Sequence, residues 1–242
     1  MDPTGGGLRV FFRKKPKDVT VEHAYYKVGE DCQIPHLDWL YEKCFGRIED
    51  GLFVEVGAFD GEYVSNTCFL ADMGWRGCYI EPVPAFHEKC RLRHATNKGV
   101  TVDRLAIGPV NGEAEITLAG PLSSIDETTT EIFRGLPWAR NHVSDTRVRV
   151  PQQTLDDYLA ERQVVPGFEL LVIDVEGYER DVLAGVSLEK WRPRMVIIEL
   201  HDQNMQYRKI MSKSEEIVRI FDRAGYIAVY KDFTNTVYVL RA

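Results

Sequence analysis

Short apolar runs of strand length alternate with segments of helical period along this chain, and that alternation constrains the fold more than any other feature. The first run, residues 52–56, is closed by Gly57 and leads into a helical segment through Tyr63, Cys68, Phe69 and Leu70. A second, 78–80, ends at Glu81-Pro82, and the helix after it carries Phe86, Cys90 and Leu92. Residues 100–107 read as a third strand, and Asn111-Gly112 then signals a hairpin turn with Ala114, Ile116 and Leu118 alternating behind it. Predominantly apolar content marks 168–173 and 195–199 as strands buried on both faces. Strands separated by helices lie parallel, whereas 226–230 and 236–240, after a helix over 214–224 stopped by Gly225, are joined too tightly for a crossover and must pair antiparallel. The fold class is therefore α/β, a mostly parallel sheet finished by an antiparallel C-terminal hairpin.

A length of 242 residues suits one large domain. Thirty basic against 37 acidic side chains leave a formal charge of −7, which sets nucleic acid aside as the main partner. Basic residues do crowd one place: Arg9, Arg13, Lys14, Lys15 and Lys17 follow the run Gly5-Gly6-Gly7. Residues 1–35 accordingly read as a basic, mobile arm and 36–242 as the folded domain. The five cysteines form no Cys-x-x-Cys pair, so neither a zinc ribbon nor a disulfide framework is expected. No apolar run approaches the length of a membrane span, and no secretory leader pattern is visible, which places the chain in a reducing cytoplasm. Between 120 and 150 the pattern dissolves into an irregular lid, whose Trp138, Arg140 and His142 are candidate contacts for an acceptor molecule. Regularity returns at Thr154, a helix cap with Asp156 and Asp157 in the first turn behind it.

In a parallel sheet, ligands bind beyond the carboxyl ends of the strands. The first exit reads Glu55-Val56-Gly57-Ala58-Phe59-Asp60-Gly61. Gly57 and Gly61 let a backbone approach a ligand closely, and the turn offers free N–H groups. A third glycine for a pyrophosphate is missing, and Glu55 and Asp60 bring negative charge where two phosphates would lie. A ligand with a cationic sulfonium and an amino group suits this turn better. Glu81, about 20 residues on, stands where a carboxylate accepts both hydroxyls of a ribose. Asp103 and the turn Ala106-Ile107-Gly108 are where an adenine edge would rest. The fourth exit is Ile173-Asp174-Val175-Glu176-Gly177-Tyr178-Glu179, where Asp174 and Glu176 could accept a proton, hold a divalent cation or orient an amine, or else cap the next helix. At the fifth, Glu199-Leu200-His201-Asp202, a neutral His201 near Asp174 is a candidate general base, with His142 as its rival.

Taken in order, the segment 53–61 followed by Ser65-Asn66-Thr67, Gly74-Trp75-x-Gly77 leading to Ile80-Glu81-Pro82, Thr154-Leu155-Asp156, and 173–179 resemble the FkbM family of S-adenosylmethionine-dependent methyltransferases, from about Gly51 to the C-terminus. The resemblance implies a class I methyltransferase fold, a Rossmann-like sheet of seven strands with the last antiparallel. It implies Glu55, Gly57 and Gly61 at the methionine part of S-adenosyl-L-methionine, Glu81 at the ribose and Asp174 beside the transferred methyl. Ala58, Asp60, Asn66, Pro82 and Ala106 complete the expected cofactor contacts. The expected reaction is O-methylation of a hydroxyl on a sugar or natural-product-like acceptor, a small molecule or glycan, with Asp174, Glu176 and His201 as the catalytic set and His201 also against the acceptor. Asp174-x-Glu176-x-Tyr178 is also similar to the Asp-x-Asp-x-Tyr segment of magnesium-dependent sugar O-methyltransferases related to TylF, which implies Mg2+ on Asp174 and Glu176. Two other classes share parts of this pattern: an NAD-dependent oxidoreductase, and a binding module that kept the fold and lost the reaction.

Overall fold

The structure is a computed structural model that describes residues 25–29, 32–203 and 208–241. In chain order the elements are α1 (Leu37–Phe45), β1 (Leu52–Val56), α2 (Cys68–Asp72), β2 (Arg76–Ile80), α3 (Pro84–Arg93), β3 (Val100–Asp103), β4 (Ala106–Ile107) and β5 (Gly112–Thr117). There follow α4 (Glu127–Gly135), β6 (Arg147–Gln153), α5 (Leu155–Glu161), β7 (Leu170–Ile173), α6 (Glu179–Ala184), α7 (Leu188–Trp191), β8 (Met195–Glu199), α8 (Arg208–Arg223), β9 (Tyr226–Lys231) and β10 (Asn235–Leu240). Seven strands form one sheet in the order β3-β2-β1-β7-β8-β10-β9, parallel except for β10, which runs antiparallel to both β8 and β9.

Because side chains alternate across a strand, each central strand feeds two cores. Val54, Val56, Ile80, Leu171, Ile173 and Ile198 pack on one face against Leu155 and Leu159 of α5, Val182 of α6 and Phe221 of α8. Phe53, Tyr79, Leu170, Val172 and Ile197 pack on the other against Leu37 and Tyr41 of α1, Phe69 and Leu70 of α2 and Cys90 of α3. The register places the site. Val56 lies opposite Ile80 on one side and Ile173 on the other, and Ile173 lies opposite Ile198. The residues that follow these ends, Gly57, Glu81, Asp174 and Glu199, therefore emerge along one rim.

Four expectations need correction. The run 100–107 is two strands: Asp103 ends β3, its carboxylate held by the Tyr158 hydroxyl (2.7 Å) and the Arg162 guanidinium, and the chain turns before Ala106 joins β6 in a separate sheet of order β4-β6-β5. The Asn111-Gly112 turn does not close a hairpin of neighbouring strands, because β6 lies between β4 and β5. The Asn111 side chain instead donates to Asp157 (2.7 Å) and accepts from the Thr154 N–H (2.8 Å). The segment 120–150 is not irregular throughout: Asp126 caps α4 by accepting from the Thr129 N–H (2.7 Å), and β6 begins at Arg147. The helix expected through Tyr63 starts at Cys68, after a turn in which Val64 has φ 50°.

Of the arm read over 1–35, residues 1–24 lie outside the described residues. Tyr26 and Ile34, also assigned to it, are fully buried, and the Tyr26 hydroxyl donates to the Gly46 carbonyl (2.7 Å). The core thus begins ahead of residue 36. Among the described residues no helix is long and apolar enough to cross a membrane, and all five cysteines are free.

Candidate functional site

The turn after β1 is fixed by its neighbours on both sides. The N–H groups of Gly57 and Ala58 donate to the Ile80 carbonyl (2.9 and 3.1 Å). Gly57 has φ +89°, and a Cβ there would stand 1.7 Å from the Asp174 carbonyl oxygen, so this position requires glycine on both counts. Glu81 closes the turn from β2: its Oε2 accepts the Phe59 N–H (2.9 Å) and its Oε1 accepts the Val83 N–H (2.8 Å). Burial nevertheless pushes the Glu81 carboxyl up to about 7, the two backbone donors opposing it.

Below the turn, Glu55 is 5% exposed and accepts a short hydrogen bond from the Thr67 hydroxyl, which also lies 3.0 Å from the Tyr79 hydroxyl. Burial drives its carboxyl up to about 8, and the nearby Asp174 charge adds to the rise. The Asn66 side chain donates to Gln33 Oε1 (3.1 Å), and Gln33 in turn hydrogen-bonds Asp174. Gln33, Glu55, Asn66 and Asp174 border one cleft whose apolar wall includes Phe59, Phe86, Leu105 and Ile116. Phe59 and Phe86 meet at 4.5 Å between ring centroids.

At the ends of β7 and β8 the acids gather. Glu179 Oε1 accepts the Val175 and Gly177 N–H groups (3.2 and 3.0 Å), which bends the loop so that Glu176 adopts φ 53°. His201, at φ 48°, places Nε2 at 2.9 Å from Glu199 Oε1. Burial raises the carboxyls of Asp174, Glu176, Glu179 and Glu199, and mutual repulsion raises Glu176 and Glu199 further. Burial also lowers the His201 imidazole below its ordinary value, which favours the neutral ring. The ligating atoms of Glu176, Glu199 and His201 lie within 4.8 Å of one another.

The structure thus brings Glu55, Gly57, Ala58, Asn66, Glu81, Pro82, Ala106, Asp174 and Glu176 to the cleft. It does not bring Asp60 or Gly61 there. Asp60 folds back on its own turn, accepting from the Glu62 and Tyr63 N–H groups (3.1 and 2.8 Å), and a Cβ on Gly61 would meet Cys90 and His94. His201 sits beside Glu199 rather than in the cleft wall. Trp138, Arg140 and His142 are exposed beyond α4, outside the cleft lining, with Trp138 edge-on to Phe133 at 6.3 Å. Asp103 is spent on Tyr158 and Arg162. Gln33 went unread because it lies in a stretch with no period. Phe59 and Phe86 were read as part of a turn and a helix, where an aromatic carries no ligand signal of its own.

The strand order with its single antiparallel strand defines the class I methyltransferase fold, and the acids line the rim where that fold opens. The chain matches the Methyltransferase FkbM domain over residues 55–228 and belongs to that family. No curated protein matches it. Among solved structures it is similar to an O-methyltransferase from Bacillus cereus in complex with SAH, at 13% identity over 93% of this chain and 83% of that one, with a TM-score of 0.47. It is also similar to Aeropyrum pernix fibrillarin with natively bound S-adenosyl-L-methionine (10% identity, 79% and 67% covered, TM-score 0.41). A precorrin-6y C5,15-methyltransferase from Geobacter metallireducens matches at 9% identity over 84% and 87% of the two chains, with a TM-score of 0.42.

Proposed function

We propose that this methyltransferase uses S-adenosyl-L-methionine to methylate a hydroxyl of a small-molecule or glycan acceptor in the cytoplasm. The observation that carries the reading is the convergence of Gly57, Glu81 and Asp174 on one cleft, with two buried carboxyls, Glu55 and Glu81, facing a space that no cationic side chain fills among its described lining residues. Each Glu81 oxygen accepts one backbone N–H and keeps a lone pair, which is what a ribose diol requires. Glu55, ionised by an ammonium group beside it, would anchor the amino acid end. The Phe59, Phe86, Leu105 and Ile116 wall suits an adenine ring.

When bound, the cofactor supplies an electrophilic methyl on a cationic sulfur. The chain's own part is to hold the acceptor oxygen at attacking distance and to take its proton. Asp174, oriented by Gln33, is the first acceptor for that proton, and Glu176 the second; a carboxyl raised towards neutrality is a stronger base than an ordinary one, with a contribution of about 10²- to 10⁴-fold. His201 steadies Glu199 behind them. Trp138, Arg140 and His142 are assigned to the outer part of an acceptor larger than the cleft. An NAD-dependent reaction is disfavoured because a pyrophosphate would be buried beside Glu55 and Asp174 without a cation.

Calorimetric titration with S-adenosylmethionine and its demethylated product tests the reading. Saturable binding that weakens at least tenfold in Glu81→Gln is expected, because the amide offers one acceptor in place of two. Absence of heat and of thermal shift at millimolar ligand would overturn it.

A further inference from the structure

We infer that Glu176, Glu199 and His201 form a binding site for one divalent transition-metal ion at the edge of the cleft. Three independent features lead there. The three ligating atoms lie within 4.8 Å of one another, so a single ion can reach all of them with small side-chain adjustments. Glu199 is 4% exposed; its Oε1 meets His201, its Oε2 meets no donor outside the acid cluster among the described residues, and its carboxyl is hydrogen-bonded to that of Asp174, an arrangement that needs a proton or a metal ion between the two acids. A buried carboxylate oxygen with no donor is costly unless something positive occupies the space before it. Third, among the described residues, two cations of this region are engaged elsewhere: Lys213 binds the Asp126 carboxylate and the Gly177 carbonyl (3.1 Å), and Arg180 pairs with Glu216 (2.9 Å).

The donor set identifies the ion. One imidazole nitrogen with two carboxylates suits Zn2+, Co2+, Mn2+ or Fe2+, whereas Mg2+ and Ca2+ prefer oxygen alone. The ring is already steered, because the Phe233 backbone in the β9–β10 turn hydrogen-bonds His201, the kind of outer contact that orients a metal-binding histidine. This set differs from the Asp174 and Glu176 pair expected from the sequence: the Asp174 side chain is hydrogen-bonded to Gln33 and Glu199, while the end of β8 supplies the second acid and the turn after it the nitrogen. Glu176 belongs to both the metal cluster and the cleft wall, so the ion would sit where the acceptor enters and Asp174 alone would remain to take the acceptor's proton.

The test uses the full chain stripped with EDTA and titrated with Co2+ in the absence of S-adenosylmethionine, so that its result is separate from the cofactor reading. One equivalent should bind with visible ligand-field bands, Zn2+ should displace it, and Mg2+ at equal concentration should not. Glu199→Gln should weaken Co2+ binding at least tenfold. So should His201→Asn, which keeps a residue tolerant of positive φ while removing the ring. Glu176→Gln provides a third reading should either variant fail to fold, judged by circular dichroism. His36→Asn, which removes an exposed histidine that is not among the three ligands, should bind as the parent does. Absence of a saturable site up to millimolar Co2+, or equal affinity in the parent and the folded cluster variants, would overturn the assignment.

Discussion

Asp174 shows how much one position can carry. Its backbone oxygen blocks any side chain on Gly57, its N–H donates to the Val56 carbonyl (3.0 Å), and its carboxyl is buried against Gln33 and Glu199. Asp174→Asn preserves the shape and removes the proton acceptor. It should retain S-adenosylmethionine affinity within about threefold while lowering kcat by about 10²- to 10⁴-fold, measured by transfer of a labelled methyl group. Unchanged turnover would remove Asp174 from the reaction. At this scale the sequence was informative where chemistry and spacing coincide: Gly57, Glu81 and Asp174 each follow directly on a strand. Asp60 and Gly61 serve a local hydrogen-bonded loop and a close approach to α3, a use that residue type and spacing do not distinguish from a ligand turn. Gln33 comes from a segment folded back from well before β1, and no local pattern encodes that return.

Among the elements, α4 is the one the sequence hid. Its stretch Glu127-Thr128-Thr129-Thr130 has weak helical propensity, and the helix depends on the Asp126 cap, on Phe133 buried beneath it and on Lys213 reaching across from α8. Ser124 adds a tie by donating to the Glu176 carbonyl (2.7 Å). Replacing Asp126 with Ala removes the cap and one partner of a half-buried ion pair, and should cost about 2 kcal/mol in chemical denaturation. Hydrogen exchange should accelerate first over residues 127–135 and 176–178; protection unchanged there would show that α4 does not rely on its cap. The strands were legible for the opposite reason. The unbroken apolar run 195–198 of β8 has no alternative to burial on both faces, whereas 100–107 reads as one strand because Arg104 and Leu105 carry no turn signal.

For the molecule as a whole, the concentration of buried acids sets a pH dependence. Glu55 is raised to about 8, and Glu81 and Glu179 to about 7, chiefly by burial, from ordinary values of 4.5. Between 4.5 and 8 the folded chain therefore holds protons that the unfolded chain has released, and stability falls as pH rises through that window. Carboxyls lowered by their partners, such as Asp72 and Asp126, act in the opposite sense but below 3.8, outside it, and the buried His94 and His201, lowered from 6.5, oppose the fall only below 6.5, so it is steepest above that. The Tm of the unliganded protein should drop by at least about 5 °C from pH 5 to pH 8.5 at constant ionic strength, and Glu55→Gln should show a shallower slope. A flat profile would contradict the burial of these groups. The overall topology was readable from the alternation of runs, and the gathering of acids followed from register alone.

The contact between Gly57 and the Asp174 carbonyl has one more outcome. Two loops that touch without room for a methyl group cannot shift separately, so a molecule seated against either one changes the shape offered to the other. Occupancy of the glycine turn and of the acid loop should accordingly be thermodynamically linked, each ligand altering the other's dissociation constant by the same factor.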